Sequence, residues 1–255
     1  MIAAIAPQAR VIDLAHRVPA YDVAAAARVL VRASPWLSDV VLAVVDPGAG
    51  TSRRAVAVEA VDRLGSPAVV FIGPDNGLLL PAVHAIGACG RAVVIDRRGH
   101  PGPGWSGAGP TFDGRDVLAA AAARLCNGAD LGELGAEVDP DILVELSAGR
   151  PTVESTAAPD GAQAGRVQWI DHFGNVELTI AGSLVAGWKG GVEVTVGSDR
   201  EVAVVVAAAY QEIPVGRIGL MVDSEGWASL AANRSSAALA LGVVEGEPVV
   251  LRPRR

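Results

Sequence analysis

The chain has 255 residues, 51% hydrophobic but only 4% aromatic, enough for one large or two modest cores built mainly from aliphatic side chains. A formal net charge of −7 with no basic stripe argues against a surface that tracks nucleic-acid phosphates, and no uninterrupted apolar run reaches the ~20 residues of a membrane span. Cys89 and Cys126 lack CxxC spacing, and His16, His84, His100 and His172 show no HExxH-like grouping, so neither a disulfide framework nor a metal centre is expected.

In chain order, Val11–Leu14 reads as a short strand. Asp22 is a natural N-cap for a helix whose Ala/Val/Leu face runs to Ala33. Val40–Val45, Arg54–Glu59 and Ala68–Ile72 read as buried strands, Leu78–Gly87 as a helix, Ala92–Ile95 as a strand and Asp116–Leu125 as an Ala-rich helix. The alternation predicts an α/β domain with a mostly parallel sheet over residues 1–150. Composition then turns to Ala, Gly, Pro and Ser, which places a linker at 151–164. Val167–Ile170, Val192–Val196, Glu201–Val206, Ile218–Val222 and Val249–Leu251, the last opened by Pro248, are short strands between Gly-containing turns. They predict an all-β small barrel over 165–255. No basic segment leads into an apolar one at the N-terminus, so a cytoplasmic protein is expected.

The most informative segment is Asp46-Pro47-Gly48-Ala49-Gly50-Thr51-Ser52-Arg53-Arg54. An acid stands at the end of a buried strand, a Gly/Pro turn follows, and Arg53 is placed to fold back on the acid. In an open parallel sheet, ligands bind beyond the carboxyl ends of the strands. A carboxylate held by a guanidinium there can orient and deprotonate a water. By itself the segment is more readily an ordinary turn than a catalytic one, since Pro presets φ and Gly tolerates positive φ. Four more polar segments adjoin apolar runs: Gly73-Pro74-Asp75-Asn76-Gly77, Thr111-Phe112-Asp113-Gly114-Arg115-Asp116, Asp171-His172-Phe173-Gly174-Asn175, and Asp223-Ser224-Glu225-Gly226 followed by Asn233-Arg234.

As an ordered set, these segments resemble the S-adenosyl-L-methionine (SAM) hydroxide adenosyltransferases, the SAM hydrolases related to the SAM-dependent fluorinase and chlorinase. The resemblance runs nearly end to end through DPGxG-x-x-R, PDNGLL, TF-x-GRD and ID-x-FGN. It implies a homotrimer of an α/β domain and a β-barrel, with sites between the first domain of one subunit and the second of its neighbour. The implied reaction is attack of water or hydroxide on ribose C5′ of SAM, giving adenosine and L-methionine without a cofactor. Asp46, Arg53 and Asp113 fall on the water-handling positions. Tyr21 matches an aromatic packed on the substrate, and Asn76, Phe112 and Gly114 lie at substrate-binding motif positions. Phe173 and Tyr210 would flank adenine and Asn175 would hydrogen-bond it. Asp171 would hold the methionine ammonium, Ser224 its carboxylate, and Asn233 and Arg234 would offer backbone groups to the adenine edge.

The chain departs from the family pattern at three places. Met1 stands where members commonly have the valine of a Gly-Val-Ile segment, so the family's first strand and TDFG-x-x-D-type loop are expected upstream of a mis-assigned start. Asp113 replaces the histidine of TF-H-GRD, placing a second carboxylate near Asp46 and Arg53. Asp46 itself stands where the halogenases carry a tyrosine, and a carboxylate repels halide. The alternative to a hydrolase is a non-catalytic homologue that binds SAM or adenosine.

Overall fold

The structure is a computed structural model, and it describes residues 1–97, 112–146, 155–158, 160–197 and 200–254. His100 and Thr111 lie outside the described residues. The chain divides into two compact units, Met1–Arg150 and Pro151–Arg255. Among the described residues, no helix is long and apolar enough to cross a membrane.

The first unit contains α1 (Ile2–Ile5), α2 (Val23–Ala33), β1 (Asp39–Leu42), β2 (Ala55–Val61), β3 (Pro67–Pro74), α3 (Leu80–Ile86), β4 (Ala88–Ile95), α4 (Ala119–Cys126) and β5 (Gly135–Val138). Asp22 caps α2 as its sequence predicts, accepting from the Ala25 amide at 2.7 Å. The strands form one sheet in the order β1-β3-β2-β4-β5. The α/β class holds, but the sheet is mixed: β1–β3 is parallel, whereas β2–β3, β2–β4 and β4–β5 are antiparallel. The link between β2 and β3 explains this. It is a tight turn in which Asp62 Oδ1 accepts from Leu64 and Ser66 amides and Gly65 takes φ 82, far too short for a parallel crossover.

Burial on both faces makes the strands read as parallel. Val56, Val58 and Ala60 of β2 pack with α2 and α3, while the alternate residues Ala55 and Ala57 pack with α4. Continuous apolar runs are the usual mark of parallel strands, but any sheet covered by helices on both sides produces them. Val11–Leu14, expected as a strand, pairs with no strand among the described residues, and Val11, Ile12 and Leu14 are exposed.

The second unit contains β6 (Thr156–Ala157), β7 (Gln163–Ile170), β8 (Val176–Ala181), β9 (Gly191–Val196), β10 (Arg200–Val206), β11 (Ile218–Val222), β12 (Trp227–Ala232), α5 (Ala237–Leu241) and β13 (Pro248–Pro253). The order β13-β9-β10-β11-β12-β8-β7 closes on itself through β13–β7, and β6 hangs on β7. Closure removes the free strand edges of an open sheet. Leu178, Ile180, Val192, Val194, Leu220, Leu230 and Leu251 fill the interior. Strand pairing of Thr156–Ala157 with Gln163–Ala164 falls inside the segment expected as linker.

Candidate active site

The chain leaving β1 is held in place up to the acid. Ala43 donates to the Ile72 carbonyl at 2.9 Å, and the buried Asn76 amide donates to the Val45 carbonyl at 2.9 Å while its oxygen accepts from Leu78. Asn76, expected as a substrate contact, here fixes the backbone just before Asp46. Asp46 follows, its side chain 9% exposed. One carboxylate oxygen, Oδ1, accepts from the Gly48 amide at 2.9 Å and lies 2.9 Å from Arg53 Nε. The second contact is charge against charge, out of line for a hydrogen bond. The other oxygen, Oδ2, accepts no hydrogen bond among the described residues. Glycine is needed at 48, because a Cβ there would stand 2.0 Å from Arg53 Nη2.

A cleft of about 360 Å³ opens beside this acid, lined by Ala15, His16, Val18, Tyr21, Val45 and Asp46 among others. The structure thus brings Tyr21 and Asp46 to one cavity. Tyr21 is 80% exposed and has φ 68. Among the described residues, non-glycine positive φ occurs at Tyr21, Asp39 and Arg234, so two of the three are expected substrate contacts. Backbone strain of this kind collects at functional sites. Sequence reasoning passed over His16, which was considered only as a possible metal ligand. It lines the cleft and approaches Asp13 at 3.0 Å.

Asp113 has a partner that its sequence position did not announce. It is buried, 8% exposed, at the head of a π-helical turn over Gly114–Leu118. It carries its own cation: Arg97 Nη1 donates to Asp113 Oδ2 at 2.8 Å. Arg97 Nη2 donates to the Arg53 carbonyl at 2.6 Å, so Asp113 reaches Arg53 through a third residue and at the backbone. Arg97 was missed. Its position just past the end of a buried strand, like that of Asp46, was the available signal. Gly114 lets the turn lie against the chain beyond β1, since a Cβ there would approach Val44 Cγ1 to 2.8 Å. Phe112 is exposed, with the Arg115 guanidinium 4.2 Å from its ring centre. Arg115 bonds Asp116 at 2.6 Å and holds that carboxyl below the usual carboxylate range.

The second unit gathers another set of expected residues. Asp171 closes its own turn: Oδ1 accepts from the Phe173 and Asn175 amides at 2.8 and 2.9 Å, and Oδ2 accepts from Asn175 Nδ2 at 2.8 Å. Asn175 Nδ2 also approaches the Tyr210 hydroxyl at 3.4 Å. Phe173 projects from this turn 75% exposed and meets His172 edge-on at 5.6 Å. Gly174, at φ 82, packs against Ser236 at the start of α5, where a Cβ would clash with the hydroxyl. Asn233 donates to the Ile213 carbonyl at 3.0 Å, and Arg234 follows it with φ 57. Ser224 is exposed in the β11–β12 turn, which Asp223 organises by accepting from the Glu225 and Trp227 amides. Among the described residues, Ser224 makes no hydrogen bond to the Asp171–Asn175–Tyr210 group.

Comparison with known proteins decides the family. Family models for the SAM hydroxide adenosyltransferase N-terminal and C-terminal domains match residues 1–135 and 165–250. The chain belongs to the SAM hydroxide adenosyltransferase family. It is 42% identical over 250 residues to the (R)-S-adenosyl-L-methionine hydrolase of Salinispora tropica, covering 97% of this chain and 88% of that protein. A fluorinase of Actinopolyspora mzabensis is more distant, at 25% identity over 275 residues, 98% of this chain and 89% of the fluorinase. The crystal structure of an uncharacterized conserved protein from Thermotoga maritima superposes with a TM-score of 0.78 at 30% identity, covering 98% of this chain and 92% of that one.

Proposed function

We propose that this member of the family hydrolyses SAM to adenosine and L-methionine. Beyond the likeness to the Salinispora hydrolase, one observation carries the reading: Asp46 has one oxygen pinned by Gly48 and Arg53 and the other free to accept from a water. In the proposed reaction that water attacks ribose C5′ in line with the C–S bond. Its oxygen bonds to carbon, the C–S electron pair returns to sulfur, and methionine leaves as a neutral thioether. The water's proton passes to Asp46 and then to solvent.

The sulfonium already makes a good leaving group, so no metal, acid or other cofactor is required at sulfur. The protein's task is to aim and desolvate the nucleophile. Tyr21 would pack on the substrate from the Asp46 cleft, with Phe112 and Gly114 nearby in sequence to the Asp113 turn. Phe173, Asn175 and Tyr210 would take the adenine, Asn233 and Arg234 its edge, and Asp171 and Ser224 the ammonium and carboxylate of methionine. A homotrimer with sites at subunit interfaces, acting in the cytoplasm, completes the proposal. What supports it is that each unit carries its own group of expected residues.

The test is to incubate the purified protein with SAM and assay adenosine and methionine. Equimolar release of both is expected, with no 5′-halogenated nucleoside when chloride or fluoride is added. Saturable SAM binding without either product would replace the hydrolase with the binding homologue.

A further inference from the structure

We propose that Arg97 is a positioning residue of the reaction centre and that Asp113 acts through it, holding Arg97 in place, rather than on the attacking water. This rests on the hydrolase reading above. Arg97 lies two residues beyond the end of β4 and divides its guanidinium between two acceptors: Asp113 Oδ2 at 2.8 Å and the Arg53 carbonyl at 2.6 Å. A guanidinium presents its donors in a rigid planar fork, so two bonds in different directions leave it little freedom. One cation therefore ties the π-helical turn to the loop that carries Arg53. Arg53 in turn places Nε 2.9 Å from Asp46. Fixing the Arg53 carbonyl fixes the point from which its side chain reaches the acid.

The burial of Asp113 makes the tie specific. A carboxylate 8% exposed is strongly destabilising without a counterion. Arg97 provides that counterion, so the four groups Asp46, Arg53, Asp113 and Arg97 balance at two negative and two positive charges. Neither Asp113 nor Arg97 contacts the Asp46 carboxylate among the described residues, so their influence on it passes through Arg53.

The experiment compares wild type, Arg97→Ala, Asp113→Ala and the double variant, with Arg97→Lys and Asp113→Asn as conservative partners. Adenosine release from SAM gives kcat and KM, and urea unfolding is followed on the same proteins. Each alanine variant is expected to lower kcat on the order of 10- to 100-fold with KM changed much less, the scale of a misplaced catalytic group. The double variant should be no slower than the worse single one, as for residues acting through one contact. Asp113→Asn keeps an acceptor for Nη1 and should recover part of the loss. Multiplicative losses would overturn the proposal. So would full turnover in Arg97→Ala beside a dead Asp113→Ala, which would make Asp113 the acting group. If an alanine variant fails to fold, the Lys and Asn variants carry the same comparison. A folded wild type that releases no adenosine removes the hydrolase reading instead. The tie is then judged by unfolding alone, where additive losses of stability refute it and coupled losses retain it.

Discussion

The two clusters of candidate site residues are built from opposite materials. In the first unit, the groups near Asp46 are charges with fixed partners: Asp46 with Arg53, and Asp113 with Arg97, which also grips backbone. In the second unit, the cluster offers exposed rings on a closed barrel, Phe173 and Tyr210, around a carboxylate that spends both oxygens on its own turn. Charges held in fixed directions are what a reacting atom needs. Exposed ring faces are what a flat nucleobase needs. Damage to the first cluster should therefore appear in kcat and damage to the second in KM.

The largest expected effect is at Asp46. Asp46→Asn keeps the acceptor for Gly48 but removes the base, so kcat should fall on the order of 10²–10⁴-fold with KM nearly unchanged. Steady-state adenosine release checks this. A loss confined to KM would erase the distinction between the clusters. Gly48→Ala comes next, because its methyl group would occupy the space of the Arg53 guanidinium. With the base intact but its partner displaced, kcat should drop about 10- to 100-fold. Full activity would mean that Arg53 does not orient Asp46.

The barrel cluster should answer differently. Phe173 is exposed, so Phe173→Ala should leave the unfolding midpoint unchanged. Loss of a ring stacked on a base costs about 1–3 kcal/mol, so KM should rise roughly 5- to 160-fold while kcat holds. A kcat loss with normal KM would move Phe173 out of the recognition surface.

The pairing of Asp46 with Arg53 was legible because a strand end, a Gly/Pro turn and an arginine lie within one short segment. The barrel was legible from β-rich strands between glycines, although two of its strands were passed over: β8, a β-rich run just past the Asp171–Asn175 turn, and β12. β12 is Trp-Ala-Ser-Leu-Ala-Ala, poor in β-branched residues, and becomes a strand through its neighbours β8 and β11. Strand direction in the first sheet was not legible, because helices on both faces erase the alternation that marks antiparallel pairing. The partner of Asp113 was hidden for another reason. Sixteen residues separate it from Arg97, and no local periodicity links a strand end to a turn that far on.

The smallest effect provides a control on charge itself. Arg91, on the β4–β5 edge opposite β1, donates to Glu137 Oε1 at 2.9 and 2.7 Å and to Asp130 at 3.2 and 2.9 Å. The Arg91 hydrogen bonds, followed by the Gly132 amide, pull the Asp130 carboxyl down to about 2. Its folded value is thus depressed below its unfolded value. The stabilisation it brings is fully present above the ordinary carboxylate range and is lost as pH falls from there towards 2. Arg91→Ala should raise the Asp130 value and flatten that part of the acid-unfolding curve, read as urea midpoints at successive pH values. The network is exposed, so added salt should shrink the difference. Adenosine release near neutral pH should match wild type, because this ion pair braces a sheet edge, whereas Asp46 lines the cleft proposed to hold the substrate. Equal kcat in Arg91→Ala, set against the collapse in Asp46→Asn, would separate electrostatics of the fold from electrostatics of the site.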